Sequence, residues 1–498
     1  MGLATAFSRA EAGLDAPRIA IEVHLRGGLP GVAIVGLPEV AVRESKDRVR
    51  SALVNSQFEF PAQRITVNLA PADLPKEGGR FDLAIAVGLL RASGQLPEVL
   101  PEMEFLGELS LGGDIRPVRG LLPALIQATR EGKQVVIPVA NAPEAALLRD
   151  ARVFVADHLL QVCSMLRGEQ PLEAVEHKPR DLAGPARSAF HFVRGQFQAR
   201  RALAVAAAGG HSLLMTGPPG SGKSLLASCL PALLPPLPEE QMLEVAAVRS
   251  LRGEVVFQGE VAHRPFRSPH HSVSAVALTG GGRVPRPGEV SMAHRGVLFL
   301  DELPEFERRA LEALREPLET GEIRISRAAA SHVFPARFQL IAAMNPCPCG
   351  YHGDSQGRCR CTAEQVRRYA GRISGPLLDR IDMQLMVQPV SREVLLSGSP
   401  EADEHGPEAR QVSDAAAVQR LRAGSLNADL DVEQVERWCR PDLSGMRLLA
   451  RAVDRMGLSA RAVHRCMRVA RTVADLDCAQ DVAASHLAEA LGYRQLKG

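Results

Sequence analysis

Eight consecutive residues, Gly217-Pro218-Pro219-Gly220-Ser221-Gly222-Lys223-Ser224, match the pattern G-x-x-x-x-G-K-[ST] in full. Glycines at these positions let consecutive backbone N–H groups turn onto phosphate oxygens at a helix N-terminus. Lys223 then adds positive charge for the β- and γ-phosphates, and the Ser224 hydroxyl is a ligand for Mg2+. Downstream, the apolar run Val297-Leu298-Phe299-Leu300 ends in Asp301 and Glu302. In a nucleotide site Asp301 holds Mg2+ through water, and Glu302 orients or deprotonates the attacking water. The two acids could instead do no more than cap a helix beginning near Glu305, but the complete cradle upstream weighs toward the nucleotide reading. A third apolar run, Gln339 to Met344, ends at Asn345, whose amide can position the same water or sense a γ-phosphate. The chemistry predicted is binding and hydrolysis of a nucleoside triphosphate with Mg2+.

These groups converge only if particular elements present them. His211 to Thr216 reads as a short buried strand and Leu225 to Leu230 as the opening of a helix, the strand, loop and helix that the cradle requires. Continuous runs of Val, Leu and Phe suit central parallel strands buried on both faces, whose carboxyl ends lie side by side in a doubly wound sheet. Residues Gln198 to Ala208 read as a helix stopped by Gly209 and Gly210, placed just before the cradle strand.

At 498 residues the chain has room for about three domains. Residues 1–165 alternate strand-like and helical runs and predict an α/β domain; 166–190 are polar and Pro-containing and predict a linker. Residues 191–395 hold the nucleotide elements, with a Cys-rich insertion at 347–361, and after a flexible connection at 397–407 residues 411–498 read as amphipathic helices. The fold class expected is α/β multidomain with a helical C-terminal domain. No run is long and apolar enough to span a membrane and no leader pattern opens the chain, so a cytoplasmic protein without a membrane partner is expected.

Lys and Arg total 59 against 57 Asp and Glu, so overall charge names no partner and any basic surface must be local. One such stretch is visible: residues 249–295 carry Arg249, Arg252, Arg264, Arg267, Arg283, Arg286 and Arg295 with His263, His270, His271 and His294, against Glu254, Glu260 and Glu289. Residues 322–334 read as a hairpin on which Arg324 and Ser326 alternate with Ile323 and Ile325. Arginines in such places either bind phosphates with little sequence preference or pack a subunit interface. Aromatic residues are only 4 %, which argues against a stacking platform for single strands. Cys347, Cys349, Cys359 and Cys361 form two C-x-C pairs, with His352 between them as a spare ligand. Four thiolates can close a structural Zn2+ site and would leave no open position for catalysis; the other reading is four reduced loop cysteines.

Several tracts carry a family resemblance. Residues Leu74 to Asp82 and Gly107 to Ile115 resemble the proteolytic domain of Lon-type proteases, but Arg80 and Leu122 stand where that family has its serine and lysine, so no peptidase is implied. The three apolar runs ending at the cradle, Asp301 and Asn345 resemble the AAA+ class. The tracts Arg264-Pro265-Phe266-Arg267-Ser268-Pro269-His270-His271, Pro287 to Gly296 and Gly375 to Asp382 resemble the magnesium-chelatase-like AAA+ ATPases, and the whole chain resembles their YifB/ComM branch. That resemblance implies ATP with Mg2+, a C-terminal helical lid, Arg380 as an arginine finger acting on a neighbouring subunit and Arg461 as the lid's sensor arginine. It further implies a homo-oligomeric ring, a hexamer, that moves on DNA as a helicase and branch-migration motor at branched or single-strand/duplex junctions during natural transformation. The alternatives are a magnesium-chelatase-type motor subunit, in which a Lon-like domain and a cysteine cluster are not expected, and a protein-remodelling ATPase.

Overall fold

Alternation builds the first sheet. In Arg18–Arg26 the residues Ile19, Ile21, Val23 and Leu25 are buried, and in Arg64–Ala70 Ile65, Val67 and Leu69 repeat the pattern. The computed structural model describes residues 2–97, 102–177, 190, 193–254, 256, 263–282, 285–326, 331–354, 356–390 and 407–494. Arg283, Glu260, Arg327, Ala328 to Ala330, His191, residues 178–189 of the expected linker and the expected connection at 397–406 therefore lie outside the described residues.

Gly2–Arg9 pairs antiparallel with Arg18–Arg26, which pairs antiparallel with Arg64–Ala70, whose far edge carries Gly31–Val35 in parallel. On the other side of Gly2–Arg9 lie Met103–Phe105, Gln134–Pro138 and Arg152–Ala156, all parallel, then Glu173–Ala174 antiparallel. That last strand comes from the stretch expected to be linker. Helix Asp82–Ala92 is buried from Asp82 to Leu90 and packs on this eight-stranded sheet. Arg9, at the end of the first strand, has its guanidinium 2.6 Å from Glu104 and 2.6 Å from Glu131, so a buried cation is matched by two acids. At the positions of the Lon resemblance, Arg80 is buried against Glu11 at 2.6 Å and Leu122 is a buried core residue. Neither supplies a nucleophile or a base.

The second sheet is parallel throughout, in the spatial order Phe266–Arg267, Val297–Leu300, Gln339–Met344, Leu213–Thr216, Met383–Met386. The strand that comes first in this part of the chain lies inside the sheet, flanked by later ones, which makes a topological switch point at its carboxyl end. The three central strands bury both faces: Leu213, Met215, Val297, Phe299, Ile341 and Ala343 join one core, while Leu214, Leu298, Leu300, Leu340 and Ala342 join another. The first core continues into helices Phe197–Gly209, Ala460–Leu476 and Ala484–Gly492, with alanines on the first facing Ala470, Val473 and Ala474. His211 Nε2 and Thr472 Oγ1 lie 2.7 Å apart across this contact.

Helix Glu239–Arg252 joins the two sheets. Ser250 accepts from Gly120 N through its carbonyl at 3.0 Å and from Leu122 N through its hydroxyl at 3.3 Å. Glu244 of the same helix clamps the entry to the Val297–Leu300 strand, 3.1 Å from His294 Nε2 and 2.9 Å from Arg295 Nε. The hydrogen bond from His294, with Arg295, holds the Glu244 carboxyl down to about 2 from an ordinary 4.5. A depressed carboxyl stabilises the fold fully above its unfolded value and loses that contribution as pH falls. Thermal melts of wild type and Glu244→Gln should therefore differ at pH 7 and converge as pH falls from about 4.5 to 2. A gap that stays constant across that window would count against the clamp.

Candidate functional site

The parallel register sets the site. Thr216 pairs with Met344 and Leu300 with Ala342, so the cradle, Asp301 and Asn345 all leave the sheet at its carboxyl edge. Lys223 opens helix Lys223–Leu233 and is only 8 % exposed. Its ammonium donates to the carbonyls of Gly217 at 2.8 Å and Pro218 at 3.0 Å and to Asn345 Oδ1 at 3.3 Å. Burial pulls the Lys223 pKa below its ordinary value, and the nearby Asp301 charge opposes that. The Ser224 hydroxyl donates to Asp301 Oδ2 at 2.6 Å. A hydroxyl and a carboxylate meeting at a helix N-terminus are the hard oxygen donors that phosphate-bound Mg2+ takes, so the residues fit that ion.

Glu302 is half exposed and its backbone is left-handed at φ 53°. Such a conformation in a glutamate is strained and turns the side chain out of the helical path that would follow. Its Oε2 lies 3.0 Å from His271 Nδ1, and the His271 ring centroid is 4.1 Å from that of His270, the planes tilted by 35°. The carboxylate thus holds a partner on the oxygen that would otherwise face water. The pairing follows from His271 standing just after the strand beside that of Asp301, a proximity that spacing along the chain does not reveal.

A cavity of about 310 Å3 opens beside the cradle, lined by Gly195, Gln196, Phe197, Met386, Gln388 and Val390. Gln196 Nε2 donates to Ser221 O at 3.2 Å and to Gln388 O at 2.7 Å, tying this cavity to the phosphate loop. Its mixture of apolar walls and backbone carbonyls suits a planar base. The chain reading marked none of these residues, because Gln196 and Gln388 meet only through the pairing of Leu213–Thr216 with Met383–Met386.

Arg380 and Arg461 converge elsewhere. Glu319 Oε1 lies 2.7 Å from Arg380 and 3.9 Å from Arg461, the first 9 % and the second 75 % exposed. Within one chain neither is brought to Lys223, Asp301, Glu302 or Asn345 by any contact among the described residues.

The expected basic patch is largely neutralised. Arg249 pairs with Glu254 at 3.0 Å, Arg267 with Glu289 at 2.7 Å, Arg252 with Glu289 at 3.8 Å and Arg295 with Glu244 at 2.9 Å. Arg264 donates to the carbonyls of Pro235 and Arg295, and burial pulls its pKa down to about 10. These arginines are packing elements. A tally over the segment misses this because Glu244 lies outside it and Glu289 serves two partners.

The four cysteines do gather: Cys347, Cys349, Cys359 and Cys361 place their sulfurs within 4.8 Å of one another, with Cys347 buried. Backbone N–H groups of Arg360 and Tyr351 hold the Cys349 thiol down to about 6. The neighbouring sulfurs push the Cys359 and Cys361 thiols up, so it is the common centre of four sulfurs that fits a metal-binding set. Among the described residues no helix is long and apolar enough to cross a membrane.

Family models cover most of the chain: subunit ChlI of Mg-chelatase matches residues 21–141, magnesium chelatase subunit ChlI 189–395 and the ChlI C-terminal model 407–494. A Salmonella typhimurium protein named YifB is 47 % identical over 498 residues, covering 100 % of this chain and 98 % of that one. The Haemophilus influenzae competence protein ComM is 48 % identical over 503 residues, with 100 % and 98 % covered. A Lon protease of Trichlorobacter lovleyi is 26 % identical over 182 residues, or 33 % of this chain and 21 % of that one.

One residue of the cradle has no room for any side chain. A Cβ on Gly217 would overlap the Val387 carbonyl and come 3.0 Å from Ser221 Oγ. Gly217→Ala should destabilise the protein by roughly 1–3 kcal/mol in denaturant titration and abolish its thermal shift with Mg2+ and ATP. A variant that keeps both its stability and its shift would count against this packing.

Proposed function

The chain belongs to the YifB/ComM family of magnesium-chelatase-like AAA+ proteins, and on that footing we propose that it is a ring-forming, hexameric ATPase. Its hydrolysis of Mg2+–ATP drives helicase and branch-migration movement on DNA recombination intermediates in natural transformation. The observation that carries the hydrolytic part is the meeting of Lys223 with Asn345 and of Ser224 with Asp301 at one sheet edge. The cradle from Gly217 to Ser224 cups the phosphates, Ser224 and Asp301 are the chain's ligands for Mg2+, and the cavity at Gln196 takes the base. When bound, Mg2+ neutralises charge on the transferring phosphoryl group. Glu302 takes a proton from the attacking water once its carboxylate has left His271, and Asn345 orients that water. Arg380 and Arg461, gathered at Glu319, form one cationic edge, which supports their acting together on a neighbour's nucleotide.

The competence name of the Haemophilus relative supports the DNA part of this reading. So does a set of exposed arginines that make no ion pair among the described residues: Arg447, Arg451 and Arg455 on helix Leu443–Met456, spaced one helical turn apart. With Arg249, Arg252, Arg264, Arg267 and Arg295 occupied, these three cations offer an exposed basic face to a phosphate backbone. A magnesium-chelatase-type motor is the second reading, favoured by the names of the family models, while the full-length relatives favour the first.

ATPase activity should rise on adding branched DNA, and a forked or three-stranded substrate should be unwound. Lys223→Ala should lose activity by on the order of a hundredfold or more. No DNA binding and no strand movement would sink the motor reading. For the shared site, Lys223→Ala and Arg380→Ala subunits should each be inactive alone. Co-expressed in equal amounts, they should recover up to about a quarter of wild-type ATPase, since half the cradles are intact and half of those face an intact arginine. Mixed rings that stay inactive would remove Arg380 from the neighbour's site.

A further inference from the structure

The cysteine cluster does not stand apart from the nucleotide cradle. Its loop leaves the sheet at Asn345, whose amide oxygen accepts from Lys223, and Cys347 follows two residues later. At Gly350 the backbone lies flat on the cradle: a Cβ there would come 2.5 Å from Pro219 Cδ and 2.6 Å from Pro219 Cγ, and φ is +84°. The chain then returns through Cys359 and Cys361 to Thr362, which caps helix Ala363–Ala370 with a reciprocal bond to Gln365. On that helix the buried Tyr369 hydroxyl lies close to the Asn345 backbone. The loop therefore meets the nucleotide elements at three points, and its four sulfurs converge at the centre of them.

Between the cysteine pairs the loop is also held by Arg358, which pairs with Asp354 at 2.9 Å and lies over the Tyr351 ring. Gly350, Gly353 and Gly357 all have left-handed backbones, so the segment between the two cysteine pairs has much conformational freedom to lose on ordering. Four thiolates within 4.8 Å repel one another unless a cation compensates them. An ion bound there restores the order that thiolate repulsion and chain entropy oppose, and the ordered loop is what seats Gly350 on Pro219 and holds Asn345 at Lys223.

Resting on the zinc and nucleotide readings of these residues, we propose that Cys347, Cys349, Cys359 and Cys361 bind one structural Zn2+ whose occupancy sets the affinity of the cradle for ATP. Zinc and nucleotide bind cooperatively, through Gly350 on Pro219 and Asn345 on Lys223. Linkage makes the effect reciprocal: whatever zinc does for nucleotide affinity, nucleotide does for zinc affinity.

The test uses the full-length protein. Metal analysis should find one zinc per chain, and removing it with a zinc-selective chelator in excess Mg2+ should weaken binding of a fluorescent ATP analogue by about fivefold to a hundredfold. Adding zinc back to the same sample should restore it, which separates a local effect from unfolding. A non-hydrolysable ATP analogue should in turn slow zinc transfer to a chromogenic chelator, whereas Mg2+ alone should not. Gly350→Ala, which leaves all four sulfurs in place, should keep its zinc and lose nucleotide affinity. Zinc that is bound but can be removed with no change in nucleotide affinity would overturn the coupling and leave both sites standing. A chain free of zinc, with Cys359→Ser/Cys361→Ser binding nucleotide like wild type, would overturn the coupling and the metal site together. Failure of the zinc-loaded protein to bind nucleotide would overturn the coupling along with the ATPase reading.

Discussion

The parallel pairing of Leu213–Thr216 with Gln339–Met344 is the constraint on which the rest of the site depends. A strand has one carboxyl end, and only parallel neighbours bring several such ends to one edge. The insertion of an early strand between two later ones then opens the crevice into which the cradle, Asp301 and the Gln196 cavity all face. A one-residue slip would send Leu214 and Met215 to each other's cores and withdraw Lys223 from Asn345. Both faces of these strands are buried, so the register is fixed by packing on two sides, and the chemistry inherits that precision.

Charge in this protein is managed by pairing more than by surplus. Glu244 holds His294 and Arg295 at the base of the strand that ends in Asp301, and Glu289 holds Arg252 and Arg267. Arg9 is buried between Glu104 and Glu131 in the first sheet. Within a near balance of 59 basic and 57 acidic residues, these pairs serve internal geometry. The exposed Arg447, Arg451 and Arg455, which make no ion pair among the described residues, stand out against this background.

What could be read from the chain was what depends on near neighbours. The cradle, the strands leading to Asp301 and Asn345, helix Asp82–Ala92 and the gathering of two C-x-C pairs all follow from short-range spacing, and each is present. His271 beside Glu302, Glu319 beside Arg380 and Gln196 beside Gln388 were not legible, because each pair is made by strands or helices far apart in sequence. The basic segment misled for the same reason. Arginine is visible in a sequence while its counterion is not, and a carboxylate several turns upstream can convert a phosphate-binding surface into a packed interior.

The alanine-rich contact of helix Phe197–Gly209 with the C-terminal helices carries a consequence for how the polypeptide can be divided. Small side chains let the helices approach closely and give up little rotamer entropy, so the contact is thin and its backbones are near one another. The same buried cluster runs from the cradle strand through Phe197–Gly209 to Tyr493. A fragment ending before residue 407 would keep the cradle, Asp301, Glu302 and Asn345 yet expose much of the core that supports them. The polar connection suggests a boundary between domains, but a cut there severs the chain without separating two independent folding units.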